Sequence, residues 1–297
     1  MPGRPPEARF PFPGEDAAPR QEALVAAAPA QQPDEVLADA FHQHLSAGRL
    51  VLAFQPIVAS RDSGRQLYHE ALVRIASVCA DGPVLAPGAF IQAMERIGRM
   101  RHFDRCVVAS AVGILASQPA LRLGCNISAQ SVVADSWWEP VFETLAGQPG
   151  VAARLVVEIT ESAMLADIPA ALAFVGQLRA LGCRIAVDDF GTGYSTLDFC
   201  LRAGPDIIKV DRGYLRRGQA SRAGRRLLGD LVRLCASLAP EVVIEGVESG
   251  MDLALAADSG AAWVQGHFIA WPRIAPDWHD GVPFAVAETG FPPGLSP

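Results

Sequence analysis

From Leu50 onward, short β-branched apolar runs alternate with longer stretches whose apolar residues recur at helical spacing. Ahead of them, Pro33-Asp34-Glu35 opens a predicted helix with Leu37, Phe41 and Leu45 on one face, closing near Gly48. Strand-like runs follow at Leu50 to Val58 and Leu67 to Ile75, joined by the turn-rich Ser60-Arg61-Asp62-Ser63-Gly64. A connection that short permits only a hairpin, so these two strands are expected to be antiparallel. Helices are predicted next at about 87 to 98 and 102 to 117, then a strand at Leu121 to Ser128 and a helix to about 147. The alternation continues with a strand at Arg154 to Thr160, a helix at about 163 to 181, a strand at Arg184 to Phe190 and a short helix. Asp206 to Asp211, a helix at about 219 to 238, Glu241 to Val247, a helix at about 250 to 258 and Trp263 to Phe268 complete it. Strands separated by helices imply right-handed parallel crossovers. The expected fold is α/β, a modified TIM-type (β/α)8 barrel with the first strand antiparallel to the others.

Residues 1 to 32 break this pattern. They are rich in Pro, Ala and charge, and their one apolar run, Ala23 to Ala28, is closed by Pro29. A disordered N-terminal tail at 1–32 and one barrel domain over 33–297 is the expected organisation.

A barrel builds its chemistry at the C-terminal ends of its strands. The candidates there are Glu70 on strand two, Asn126 on strand three, Glu158 with Glu161 beyond it on strand four, and Asp188 and Asp189 on strand five. Strand six carries Lys209 and Asp211, strand seven Glu245 with Glu248 behind it, and strand eight Gln265. Strand five is followed by Gly191-Thr192-Gly193 and by Ser195, placed to cap a helix. Side chains two apart on a strand share a face, so Lys209 and Asp211 are expected to enter the mouth together. So many carboxylates on one mouth repel unless cations are bound. Oxygen ligands without His or Cys select Mg²⁺ or Mn²⁺ over Zn²⁺. Two such ions about 3.5 to 4 Å apart are the device for in-line displacement at phosphorus, with Lys209 orienting or helping to deprotonate the attacking water. Ca²⁺, with longer and looser contacts, is expected to bind and inhibit.

Composition narrows the partners. A formal net charge of -7 argues against binding of a nucleic-acid polymer or an anionic membrane, but suits a small phosphorylated ligand held through metal. The six cysteines, Cys79, Cys106, Cys125, Cys183, Cys200 and Cys235, lie in apolar segments without a CxxC pair, which predicts buried free thiols in a reducing compartment. With no membrane-length apolar run and no signal-type N-terminus, a cytoplasmic protein is expected.

Seven motifs together carry a resemblance. Tyr68-His69-Glu70-Ala71-Leu72-Val73-Arg74, Asn126-Ile127-Ser128, Glu158-Ile159-Thr160-Glu161, Asp188 through Ser195, Lys209-Val210-Asp211, Glu245-Gly246-Val247-Glu248 and Gln265-Gly266 resemble the EAL-domain phosphodiesterases, over about residues 34 to 272. The resemblance implies hydrolysis of cyclic di-GMP, a bacterial second messenger, to linear 5′-pGpG. It implies that Glu70, Asn126, Glu158 and Asp188 hold one metal, that Asp189 bridges to or holds the second, and that Glu245 and Lys209 stand beside the nucleophilic water. The expected metal ligands are thus Glu70, Asn126, Glu158, Asp188, Asp189, Glu245 and Asp211, and the catalytic group is Lys209, Glu245 and Glu70. Gln55, Arg74 and Gln265 would contact substrate, with Glu248 behind them. Glu161 would anchor the loop at 190 to 195, which in the family links metal binding to a homodimer interface. A separate regulatory or sensor partner is compatible. His267 and Trp271 depart from the family pattern, where an aromatic and a basic or small residue are commoner. A non-catalytic cyclic di-GMP receptor is the alternative, and an enolase-type proton-abstracting barrel is a more distant rival that needs a capping domain this chain has no room for. Outside the motifs, His69 is expected to pack against a helix and Trp137 and Trp138 to serve packing. Arg212, Arg216, Arg217, Arg222, Arg225 and Arg226 should form a solvated helical face.

Overall fold

The computed structural model describes residues 33–76, 86–160, 165, 167–193, 197–278 and 283–288. The predicted tail at 1–32, Cys79, Glu161 and Ser195 lie outside the described residues.

The hairpin is present: β1 (Leu50–Ala59) and β2 (Asp62–Ile75) pair antiparallel, with Gln55 opposite Glu70. The remaining strands are β3 (Leu123–Ile127), β4 (Leu155–Thr160), β5 (Arg184–Phe190), β6 (Ile207–Val210), β7 (Glu241–Ile244) and β8 (Trp263–Val264). They run parallel to β2 in sequence order, and β8 returns antiparallel to β1 to close the barrel. The helices are α1 (Asp34–Ser46), α2 (Gly88–Arg96), α3 (Met100–Ser117), α4 (Glu139–Gly147), α5 (Pro149–Ala152), α6 (Ile168–Ala180), α7 (Leu197–Ala203), α8 (Arg212–Ala220), α9 (Arg222–Leu238) and α10 (Gly250–Asp258).

The expected helix at 219 to 238 is present as α9, starting at Arg222, and a helix that the pattern did not predict, α8, runs up to it from Arg212. Ser221 takes an extended conformation and its Oγ accepts from the Gly224 N–H, which starts a new helix. Gly224 makes the close turn possible, because a Cβ there would lie 1.9 Å from the Arg217 carbonyl oxygen. The last two strands are shorter than expected, so Val247 and Gln265 lie just past strand ends. Since β8 meets only Val58 and Ala59, most of β1 is covered by other backbone. Phe54 pairs with Arg273, and Leu50 and Leu52 exchange hydrogen bonds with Val286 and Phe284. This protects an edge that would otherwise expose unpaired N–H and C=O groups.

Two apolar regions hold the fold. The larger fills the space between helices and barrel, with Phe41, Phe103, Trp138 and Phe174 among its buried members. The smaller is inside the barrel: Ile57, Tyr68, Val156, Ala186, Ile207, Val243 and Trp263 form a floor from seven strands. Cys106, Cys125, Cys183, Cys200 and Cys235 are free and buried, as expected. Trp138 is core, its Nε1 donating to the Ser131 carbonyl at 2.9 Å, whereas Trp137 is 44% exposed, under the Arg105 guanidinium. His69 lies beside the Trp278 ring, centroids 5.7 Å apart, and its ring nitrogens are within hydrogen-bond distance of Gln66 Nε2. The six arginines named above are exposed on α8 and α9. Among the described residues no helix is long and apolar enough to cross a membrane.

Candidate metal centre at the barrel mouth

A step of two residues along each strand carries the inward face from the floor to the mouth. Tyr68 is followed by Glu70, Gly124 by Asn126, Val156 by Glu158, Ala186 by Asp188, Ile207 by Lys209, Val243 by Glu245 and Trp263 by Gln265. Because β1 is reversed, Gln55 precedes Ile57 instead and lands beside Glu70. Every strand thus delivers a polar side chain to one layer.

Lys209 is its centre. Fully buried, its Nζ lies 2.8 Å from Glu158 Oε2, 2.9 Å from Glu245 Oε1, 3.0 Å from Asp188 Oδ1 and 3.1 Å from Glu70 Oε2. Amides complete the ring: Glu70 accepts from Asn126 Nδ2 at 2.5 Å and Gln265 Nε2 at 2.6 Å, and Gln265 also donates to Gln55 Oε1 at 3.1 Å. Gly124 makes room for this, because a Cβ there would meet Glu158 Oε1 at 2.0 Å and the Tyr68 ring at 2.4 Å.

Asp189 should point away, since neighbours on a strand face opposite sides. Instead the β5–β6 register slips between Val187 and Phe190, and Asp189 takes φ 54°. Asp bears the left-handed region better than most residues, and the bulge re-aims its carboxylate. Two groups result whose ligand oxygens lie within 4.8 Å of one another: Glu70 with Glu158 and Asp188, and Asp188 with Asp189 and Glu245. Asp188 is the member common to both, while Asp189 belongs to the second alone.

Burial and mutual repulsion set the charge state of this layer. Burial pushes the Glu158 carboxyl up to about 8 despite Lys209, and burial with the adjacent Asp188 raises Asp189 to about 6. Asp188 and Glu245 are raised by burial as well. Burial works the same way on Glu70, but the Lys209 charge and donors from Gln265, Lys209 and Asn126 outweigh it and leave its pKa lowered. Burial opposes the Lys209 charge, yet Asp188, Glu158, Glu245 and Glu70 hold its pKa well above the ordinary value. Glu158 Oε1 and Asn126 Oδ1 are buried and accept no hydrogen bond, and Glu158 Oε2 has the Lys209 ammonium as its partner. Five carboxylates against one ammonium, with buried acceptors lacking donors, are a lining that could hold a metal ion.

The other predicted residues sit around this layer. Asp211 caps α8, its Oδ1 accepting from Gly213 N at 2.8 Å, and is outside both carboxylate groups. Arg74 is at the end of β2, where its guanidinium feels the Glu70 charge. Glu248 is 52% exposed, 3.8 Å from Arg216. Two supports went unnoticed in the sequence. Gly124 was signalled by a glycine within a strand pattern. Asp104 on α3 carried no signal; buried, it accepts from Ser128 N at 2.9 Å and Ser131 Oγ at 2.6 Å and so fixes the turn after Asn126. Burial raises its pKa to about 7.

The fold and the mouth together define a closed eight-stranded α/β barrel with one reversed strand and an acid-lined mouth around a lysine. The EAL domain family model matches residues 38–272, and the chain belongs to that family. It is 33% identical over 236 residues to the cyclic di-GMP phosphodiesterase NbdA of Pseudomonas aeruginosa, covering 77% of this chain and 30% of NbdA. It is 27% identical over 235 residues to the cyclic di-GMP phosphodiesterase PdeF of Escherichia coli K12, covering 78% and 31%. The chain thus spans about a third of the length of these curated relatives. Among solved structures it resembles the PaMucR phosphodiesterase in complex with c-di-GMP, with TM-score 0.69, 28% identity and coverage of 80% of this chain and 97% of that one. It also resembles the Klebsiella pneumoniae BlrP1 calcium/cy-diGMP complex at pH 8.0, with TM-score 0.64, 27% identity and coverage of 78% and 57%.

Proposed function

We propose that this chain hydrolyses cyclic di-GMP to linear 5′-pGpG by in-line attack of water on one phosphodiester. The observation that carries the reading is the pair of carboxylate groups meeting at Asp188 around Lys209. Glu70, Asn126, Glu158 and Asp188 would hold one Mg²⁺ or Mn²⁺, and Asp188, Asp189 and Glu245 the other. Two such ions, when bound, polarise the phosphodiester and make water nucleophilic at neutral pH. Asn126 and Gln265 fix the Glu70 carboxylate, so it does not reorient as charge develops. Lys209, held as an ammonium, acts as a donor that orients the water and balances the carboxylates, and Glu245 beside it is placed to take a proton. Arg74 would hold a phosphate. Ca²⁺ would occupy the same ligands and slow turnover, a reading that the calcium and cy-diGMP complex of BlrP1 supports.

A homodimer is part of the proposal. The short α7, next to the loop after β5, exposes Leu197 at 45% and Leu201 at 65%, an apolar surface suited to a second copy. Glu161, if it anchors that loop, would couple the interface to the metals. The test is incubation with cyclic di-GMP and Mg²⁺, with products separated by chromatography. Conversion to 5′-pGpG is expected, and binding without any product would favour a receptor instead.

A further inference from the structure

Gln55 ties the carboxylate layer to the loop that leaves the barrel. Its Oε1 accepts from Gln265, which also holds Glu70, and its Nε2 donates to the Ala270 carbonyl at 2.9 Å. The loop is pinned further along. Phe268 N–H donates to Val247, Ile269 and Ala270 N–H donate to Gly266, and Arg273 pairs with Phe54 on β1. On this rigid loop the His267 and Trp271 rings are stacked, centroids 3.7 Å apart and planes 9° from parallel. Both residues are exposed, Trp271 at 53%, although a large apolar ring gains by being covered. The charges that act on His267 are those of Glu248, Arg74 and Arg212, and Arg74 in turn feels Glu70. A flat aromatic pair open to solvent, starting two residues past the Gln265 that holds Glu70, suits a planar base carried on a phosphate.

We propose that the His267–Trp271 pair is a stacking platform for one purine base of the dinucleotide, a specificity element outside the metal centre. The inference rests on the proposed function, since it names how that substrate is gripped. The platform is held in place before ligand arrives, so little ordering cost falls on binding. Stacking is indifferent to hydrogen-bonding edges, so the platform selects a purine face over none and leaves the choice of base to other contacts.

The test is calorimetric titration of cyclic di-GMP into the chain loaded with Ca²⁺, which the proposed function expects to slow turnover, with inorganic phosphate as the probe lacking a base. Trp271→Ala should weaken cyclic di-GMP about tenfold, the scale of losing one base stack. Trp271→Phe should recover all but about threefold, and phosphate affinity should follow the unmodified chain in both variants. The titration should also quench indole fluorescence in the unmodified chain and quench it less in Trp271→Phe. Equal cyclic di-GMP affinity in the unmodified chain and Trp271→Ala overturns the platform while leaving the proposed function standing. An unmodified chain that takes up phosphate but no cyclic di-GMP overturns both.

Discussion

The barrel floor and the layer above it come from the same strands and the same inward face, one residue pair apart, yet they do opposite work. Below, Ile57, Val156, Ala186, Ile207 and Val243 exclude water and set the barrel's width by packing. Above, Gln55, Glu70, Asn126, Glu158, Asp188, Lys209, Glu245 and Gln265 are almost as buried but satisfy one another only in part. An apolar floor strengthens charge interactions above it, because field lines there pass through low dielectric. That raises the benefit of each Lys209 contact and the cost of each carboxylate without a counter-charge, which is why the layer calls for cations. The pleat sets the positions of both layers, and side-chain identity sets their chemistry.

Breaking the upper layer should cost the most. Asp188→Ala removes the carboxylate common to both groups and should lower cyclic di-GMP turnover at least about a thousandfold, the scale of losing a preorganised electrostatic contact. Its melting temperature should stay close to that of the unmodified chain, because one buried repulsive charge goes with it. Breaking the floor should do the reverse. Ile207→Ala leaves a cavity under Lys209 and should destabilise the chain by about 2 to 5 kcal/mol in denaturant titration, with kcat reduced far less than in Asp188→Ala. If both variants lose activity and stability alike, the two layers are not separable.

The smallest effect sharpens the comparison from outside the barrel. Asp104 titrates near 7 in the folded chain and near 3.8 when unfolded, so between those values the native state binds the extra proton. Its contribution therefore falls as pH rises from about 4 to about 7, by up to about 1.4 kcal/mol per pH unit. Asp104→Asn can keep an oxygen acceptor for Ser128 and Ser131 without that charge. Melting curves from pH 5 to 7 should show a flatter pH dependence in Asp104→Asn, and parallel curves would contradict the assignment.

The barrel was legible because its signals are local and redundant: each strand is a β-branched run, each crossover is long enough for a helix, and one short turn betrays the reversed strand. The inward layer was legible for the same reason, since strand-end position and period two place Glu70, Glu158 and Lys209 without any knowledge of their neighbours. What failed to show depends on contacts distant in sequence or on backbone irregularity. The break at Ser221 follows from how closely Gly224 passes Arg217, and the left-handed Asp189 follows from a bulge that a regular strand pattern cannot express. Asp211, with the right spacing for the mouth, closes a helix start instead. Asp104 carries no signal in the sequence, because the groups that hold it, Ser128 N and Ser131 Oγ, are more than twenty residues away along the chain.

The proposed function requires the buried layer to hold two divalent cations that share Asp188. Equilibrium dialysis of Mn²⁺ against the metal-stripped chain tests it without recourse to turnover. Two ions per chain are expected, with affinity rising from pH 6 to 8 as the proton leaves Glu158, and with loss of high-affinity binding at both sites in Asp188→Ala. A single site, or two sites that survive Asp188→Ala, would contradict it.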